Sequence, residues 1–258
     1  MRDLNINSIR ALDRAIDILE AFSMNASSLS IDEIARETKL PKATAYRLLY
    51  TMEKRGLIHY DEATLRYRLG LRLLKYGGLV TATLDLHNEA EDLLAELFAL
   101  THQTVLMAVP EGEDMVYIYR QETPEGLKVS SYVGQRRKPT FGVLGHVMLA
   151  YMPPALLNKV MSEPIPQLTP KTITHPDELL ECLNLIRQQG YLIDIEQTTM
   201  GVSGVAAPVF GVNGSFLCAI GVIGPTVQLQ GETMETAKRH VLSAATRISS
   251  RMGYRAFR

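Results

Sequence analysis

Lys42, Thr44, Tyr46 and Arg47 stand together just after a proline, and Arg66 and Arg68 follow as an alternating pair. Ammonium and guanidinium groups neutralise phosphates, and an arginine can hold the edge of a guanine through two hydrogen bonds. Hydroxyls of Thr and Tyr bond phosphates or base edges, and Ala43 leaves room for close approach. The chemistry these residues suit is contact with double-stranded DNA, provided the chain presents them on one face.

The surrounding sequence supplies such a face. Ser30 followed by Glu33 is a capping box, and Ile31, Ile34 and Ala35 form one apolar side of a short helix. Lys39-Leu40-Pro41 breaks the pattern, with Pro41 suited to the start of a new helix. Ala45, Leu48, Leu49 and Met52 then recur as a buried stripe, which leaves Lys42, Ala43, Thr44, Tyr46 and Arg47 off it. Gly56 ends that helix. Leu57–Tyr60 and Leu65–Leu69 read as strands joined by a turn over 61–64, and Arg66 and Arg68 share a strand face by the period of two. Ile9, Leu12, Ile16, Leu19 and Phe22 make a helical stripe expected to cover the other side of the unit. The reading is a winged helix-turn-helix over residues 1–70. A solvated helical hairpin is the plainer alternative for the helices alone, and the wing that follows weighs against it.

Residues 71–83 read as a linker helix carrying Leu71, Leu74 and Leu79, interrupted or ended by Gly77-Gly78. Residues 84–258 change character. A long amphipathic helix runs from Leu86 to Thr101, and strands follow at Val105–Val109, Met115–Arg120 and Leu127–Val133. Short helices are expected from Gly145 to Met152 and Ala155 to Met161, and a longer one from Asp177 to Gln189. Strands at Leu192–Asp194, Val202–Phe210 and Phe216–Ile223 precede a final helix from Glu232 to Met252. Asn213-Gly214 is a hairpin signal between the last two strands. Hairpins on an antiparallel sheet with helices segregated around it define an α+β domain.

Three motifs resemble one known family. They are Ser8–Leu19 with Arg66–Leu74, Gly190–Asp194 with Gly201–Val209, and Ala244–Tyr254. Together with the helix-turn-helix, the chain resembles an IclR-type transcriptional regulator along nearly its whole length. The resemblance implies a GAF-like effector-binding and oligomerisation domain over 84–258. It implies regulation of a catabolic or transport operon, more often by repression, from a palindromic operator bound by a dimer or a dimer of dimers. It also places a small-molecule effector among three segments. The positions that match are Asp194, Gly204, Val205, Gly221 and Ile223, with Thr140, Phe141 and His146 nearby. The first of these segments leads into a helix whose N–H groups can hold an anion. His146 reads as a polar contact to the effector or as a surface histidine at a helix start.

The chain departs from the family pattern at Gly145-His146, where a Gly-Lys pair is common, and at Gly221 and Ile223, where small or polar residues are common. The stretch Pro139–Gly145 looks one residue short, and Gln197 stands where a second carboxylate is usual. Fewer polar groups imply an effector that is a partly apolar or aromatic carboxylate.

Composition fits this organisation. The 258 residues carry a net charge of −1, 46% hydrophobic and 21% charged residues, ordinary values for two globular domains. Residues 1–75 hold 13 Lys and Arg against 10 Asp and Glu, and that mild excess suits DNA. No apolar run is long enough for a membrane span and no leader opens the chain, so a cytoplasmic protein without membrane contact is expected. Cys182 and Cys218 have no metal or disulfide spacing and read as small buried hydrophobes. No cofactor and no metal is expected. An enzyme assembled from His102, His146, His175 or Asp194 lacks any nucleophile-elbow context. A ligand-independent DNA-bridging protein is the second alternative to a sensor.

Overall fold

The computed structural model describes residues 8–23, 25–82, 85–122 and 131–254. Contacts divide the chain into two compact units, Met1–Thr83 and Leu84–Arg258.

The first unit contains α1 (Arg10–Glu20), α2 (Ile31–Thr38), α3 (Lys42–Lys54), β1 (Ile58–Asp61), β2 (Arg66–Leu69) and α4 (Arg72–Ala82). The capping box forms: the Glu33 backbone N–H donates to Ser30 Oγ at 3.3 Å, and the Ser30 N–H donates to the Glu33 carboxylate at 2.7 Å. Lys39 enters the left-handed region at φ 55° and ends α2, and Pro41 caps α3. Ile18, Ile34, Ala45, Leu49 and Ile58 form the core that fixes the three helices and the wing. In the wing, His59 pairs with Arg68 and Tyr60 with Tyr67. Leu29 exchanges backbone bonds of 3.0 and 2.7 Å with Tyr67, so the entry to α2 is stitched to the wing.

Two expectations for this unit are corrected. The first three residues of the expected stripe do not cover the unit: Ile9, Leu12 and Ile16 are 71%, 59% and 45% exposed, whereas Ile18 is fully buried. Of the same stripe, Leu19 packs on the core and Phe22, just beyond α1, is buried; α1 carries a second apolar face with Ala15 and Ile18, which fills the rest. Helix α4 also runs unbroken through Gly77-Gly78. A glycine pair costs a helix about 1 kcal/mol per residue relative to alanine, and that is too little to stop one by itself. Leu74 and Leu79 are exposed on it, as is Leu71 just before it.

The second unit begins with α5 (Asp85–Thr101), β3 (Thr104–Glu111), β4 (Asp114–Gln121) and the two-residue β5 (Arg136–Arg137). It continues with α6 (Gly142–Tyr151), α7 (Pro154–Met161), α8 (Pro176–Gln189), β6 (Leu192–Ile195), β7 (Val202–Phe210), β8 (Phe216–Pro225) and α9 (Gly231–Arg251). One antiparallel sheet results, in the order β5-β4-β3-β8-β7-β6. Alternation sorts its residues between two layers. Val205, Ala207, Val209, Ile220 and Val222 pack toward α5 and α9. Leu106, Ala108, Ala206 and Ala219 pack toward α6 and α8. The centre is the β3–β8 pairing, from Thr104 opposite Ile223 to Ala108 opposite Ala219.

The strand expected over Leu127–Val133 lies outside the described residues up to position 130, and Ser131–Val133 is not strand. The edge beyond β4 is β5 instead, with Met115 opposite Arg137. Helix α6 starts at Gly142 rather than Gly145. The β7–β8 connection is a wider turn than a two-residue hairpin: the Gly211 N–H donates to the Ser215 carbonyl at 2.8 Å, and Asn213 takes φ 59°.

Candidate functional site

Helix α3 is anchored by Ala45, Leu49 and Met52, all buried, so its opposite face is turned outward. Tyr46 is 57% exposed. Lys42, Ala43 and Arg47 are exposed and Thr44 is half-buried. The basic residues differ in their partners. Lys42 is ion-paired with Asp32 of α2. Arg68 reaches Asp61 at 3.1 Å. That carboxylate is already fixed by backbone N–H groups: bonds from Thr64 and Ala63 in the wing turn, with Arg68 adding its charge, hold it below the usual range.

Arg66 is not presented as the strand period suggested. Its guanidinium donates to Ser28 Oγ at 3.0 Å, to the Ser28 carbonyl at 2.8 Å and to Glu33 at 2.7 Å. It therefore ties the wing to the start of α2. Arg47 has no carboxylate within ion-pair reach among the described residues. Of the two exposed wing and helix arginines, Arg68 is suited to the phosphate backbone and Arg47 to a base edge. Replacing Arg68 by alanine is expected to weaken binding to all DNA sequences alike and to reduce the slope of log K against log salt by about one. An unchanged slope in a salt titration of the folded variant removes Arg68 from the phosphate contacts.

The second unit holds a small cavity of about 70 Å³ between the sheet and the start of α6. Of the residues expected there, Phe141, Asp194, Gly204 and Ile223 line it. The floor is low because Gly204 has no side chain: a Cβ there would stand 2.6 Å from Ile223 Cγ2. Asp194 is 5% exposed. It accepts from the Gln197 N–H at 2.9 Å and from Thr198 Oγ1 at 3.4 Å, yet burial still pushes its carboxyl above the usual range.

The other expected positions are elsewhere. Val205 points into the α5–α9 layer. Gly221 packs on Ala206, where an added Cβ would sit 2.9 Å from the Ala206 Cβ, so it tightens the sheet and does not line the cavity. Thr140 lines a separate outer groove together with Arg137, Phe141 and Lys138. His146 is neither at a helix start nor on the surface: it is inside α6 and 3% exposed. Its Nε2 is 3.3 Å from the Thr140 carbonyl, and burial pulls its pKa from 6.5 to about 4.

Sequence reasoning missed Tyr117, Ser131, Arg137 and Thr198, which line the cavity. Arg137 stacks its guanidinium 4.1 Å over the Phe141 ring. The only signal for it is register: it faces Met115, whose side chain is buried under α6. Ser131 is 3% exposed, and its hydroxyl has no hydrogen-bond partner among the described residues. Cys218 is buried, with its thiol pushed far up by burial, and Cys182 is half-buried. Among the described residues no three His, Cys, Asp or Glu side chains converge as a metal site. Among them, too, no helix is long and apolar enough to cross a membrane.

Comparison with known proteins matches both units. Residues 11–62 match the family described as the IclR helix-turn-helix domain, and residues 79–250 match the bacterial transcriptional regulator IclR C-terminal family. The HTH-type transcriptional regulator BhcR of Paracoccus denitrificans is 30% identical over 248 residues, covering 96% of this chain and 88% of that protein. XynR of Escherichia coli, another HTH-type transcriptional regulator, is 28% identical over 247 residues, covering 95% and 98%. The crystal structure of a transcriptional regulator from Alicyclobacillus acidocaldarius superposes with a TM-score of 0.85 at 25% identity, over 95% of this chain and 99% of that one. An IclR homologue from Microbacterium hydrocarbonoxydans, solved in complex with 4-hydroxybenzoate, has the same fold, with a TM-score of 0.85 at 23% identity over 94% and 99%. The matched families and relatives are transcriptional regulators, not enzymes.

Proposed function

The chain belongs to the IclR family of bacterial transcriptional regulators, and from that premise we propose that it is a repressor of a catabolic or transport operon, released or retained on its operator by a partly apolar carboxylate. The observation that carries the reading is an enclosed cavity with a buried carboxylate in one unit of a chain whose other unit exposes Arg47 on an anchored helix. A protein that only bridges DNA has no use for such a cavity.

The exposed apolar faces of α1 and α4 support self-association. Ile9, Leu12 and Ile16 on one helix and Leu71, Leu74 and Leu79 on the other leave large side chains in water. A dimer built on them carries two copies of α3, as a palindromic operator requires, and a dimer of dimers through the second unit is the larger assembly. Ligand regulates only if it binds the DNA-competent and incompetent arrangements differently. The segment Leu71–Thr83 is the covalent link through which that difference would pass.

The test is one experiment with two readouts. Sedimentation at micromolar concentration is expected to show dimers or tetramers. Anisotropy on an operator fragment selected in vitro is expected to change affinity about 5- to 150-fold when ligand fills the cavity. Monomers with and without DNA, or an operator affinity indifferent to a ligand shown to bind, would reject the reading.

A further inference from the structure

The wing has few ties to the helices it accompanies. Its strands β1 and β2 form a two-stranded sheet of their own, and a two-stranded ribbon by itself is marginally stable in water. Tyr67 is buried and its backbone bridges to Leu29, which fixes the middle of β2. Arg68 is ion-paired with Asp61, and both belong to the wing. That pair shapes the ribbon but cannot fix it against the helices. Arg66, on the tip side of Tyr67, does reach across.

The Arg66 side chain is engaged at Ser28 and Glu33, just before α2 and within its first turn. Its Nη2 shares Glu33 Oε2 with the Ser30 backbone N–H, each at 2.7 Å. One carboxylate oxygen therefore serves both the cap of α2 and the anchor of the wing. Bonds from Ser30, with the Arg66 charge adding to them, hold that carboxyl below the usual range, so it is ionised at neutral pH. Charge-assisted bonds of this kind are stronger than neutral ones. Breaking them would release the strand that carries Arg68 two residues on.

We propose that Arg66 is a positioning residue for DNA binding: held by Ser28 and Glu33, it sets the wing so that Arg68 meets the phosphate backbone, and it makes no contact with DNA itself. This rests on the reading of Arg68 as a phosphate contact. It reverses the role that the strand period suggests for Arg66. It also makes Glu33, an acid in a DNA-binding unit, an aid to binding.

A double-mutant cycle on the full chain tests this, by anisotropy over a range of salt on an operator fragment selected in vitro. Arg66→Met is expected to weaken binding about threefold or more in the wild-type background, and by less than about 1.5-fold when Arg68 is already alanine. The slope of log K against log salt should fall by about one in Arg68→Ala and no further in the double variant. Glu33→Gln covers the case in which Arg66→Met fails to fold, because glutamine also serves in a capping box. It should weaken operator binding about twofold or more although it removes a negative charge, since the bond to Arg66 loses its ionic half. Additive losses, a slope that falls by about two in the double variant, or a Glu33→Gln complex as tight as wild type or tighter would overturn the assignment. If Arg68→Ala alone leaves affinity and slope unchanged, the phosphate reading of Arg68 fails first, and the positioning role falls with it.

Discussion

Arg47→Ala is expected to lower operator affinity by about 10- to 100-fold, in line with the 1–3 kcal/mol that a bidentate base contact supplies. Stability should not change, because the side chain projects from an exposed position opposite Ala45, Leu49 and Met52. The size of the effect follows from what the neighbouring cations are doing. Lys42, Arg66 and Arg68 each have a carboxylate of the protein at hand, in Asp32, Glu33 and Asp61. A phosphate or base that recruits them must displace or share that partner, so each contributes less than its charge suggests. Arg47 has no such competitor among the described residues. Anisotropy at fixed salt, on the selected operator and on a scrambled duplex, separates loss of recognition from loss of charge. Recognition predicts a larger loss on the operator. A change under twofold on the operator would remove Arg47 from the reading face.

Acidification from pH 6.5 to 4 is expected to cost the second unit about 3 kcal/mol through His146 alone, at about 1.4 kcal/mol per pH unit. The imidazole is 3% exposed within α6, and burial lowers its pKa to about 4. Its folded pKa lies below its unfolded one, so its stability contribution is complete above pH 6.5. Between 6.5 and 4 the unfolded chain takes up a proton that the folded chain refuses, and the difference is lost as pH falls. Asp194 acts with the opposite sign, since burial raises its carboxyl and favours the folded state at lower pH. The comparison that isolates His146 is therefore His146→Leu against wild type, by urea unfolding at several pH values. The variant should show a flatter profile between pH 6.5 and 4. Parallel profiles would mean that the histidine takes up its proton alike in the folded and unfolded chains.

Local chemistry was legible in the sequence; partners across space were not. Ser30 and Glu33 announce the capping box because both halves of it are three residues apart. The span of β7 and the start of α9 follow from strand patterning and helix periodicity in the same way. The inward face of α1 is ambiguous in the sequence because two apolar stripes fit one helix, and only the core decides between Ile16 and Ile18. His146 reads from sequence as an effector contact or a surface histidine because Gly145 looks like the lead into a helix that in fact starts at Gly142. Arg137 and Ser131 carry no local signal at all. Their places in the cavity depend on how the segment after β4 returns alongside it: the Gly134 N–H donates to the Tyr117 carbonyl at 2.8 Å, and Arg137 comes opposite Met115.

The pairing of β3 with β8 also has a consequence for biosynthesis. It brings residues 104–108 beside residues 219–223, so the centre of the sheet cannot close until most of the chain has left the ribosome. Pairing across so long a loop is slow, and amino-terminal units generally fold first during translation. The first unit is complete within its own residues, from Ile18 in α1 to Tyr67 in the wing. A nascent or truncated chain ending before β8 would therefore carry a finished DNA-reading unit with no ligand cavity to govern it, and translation to the last helix is what brings the regulator under chemical control.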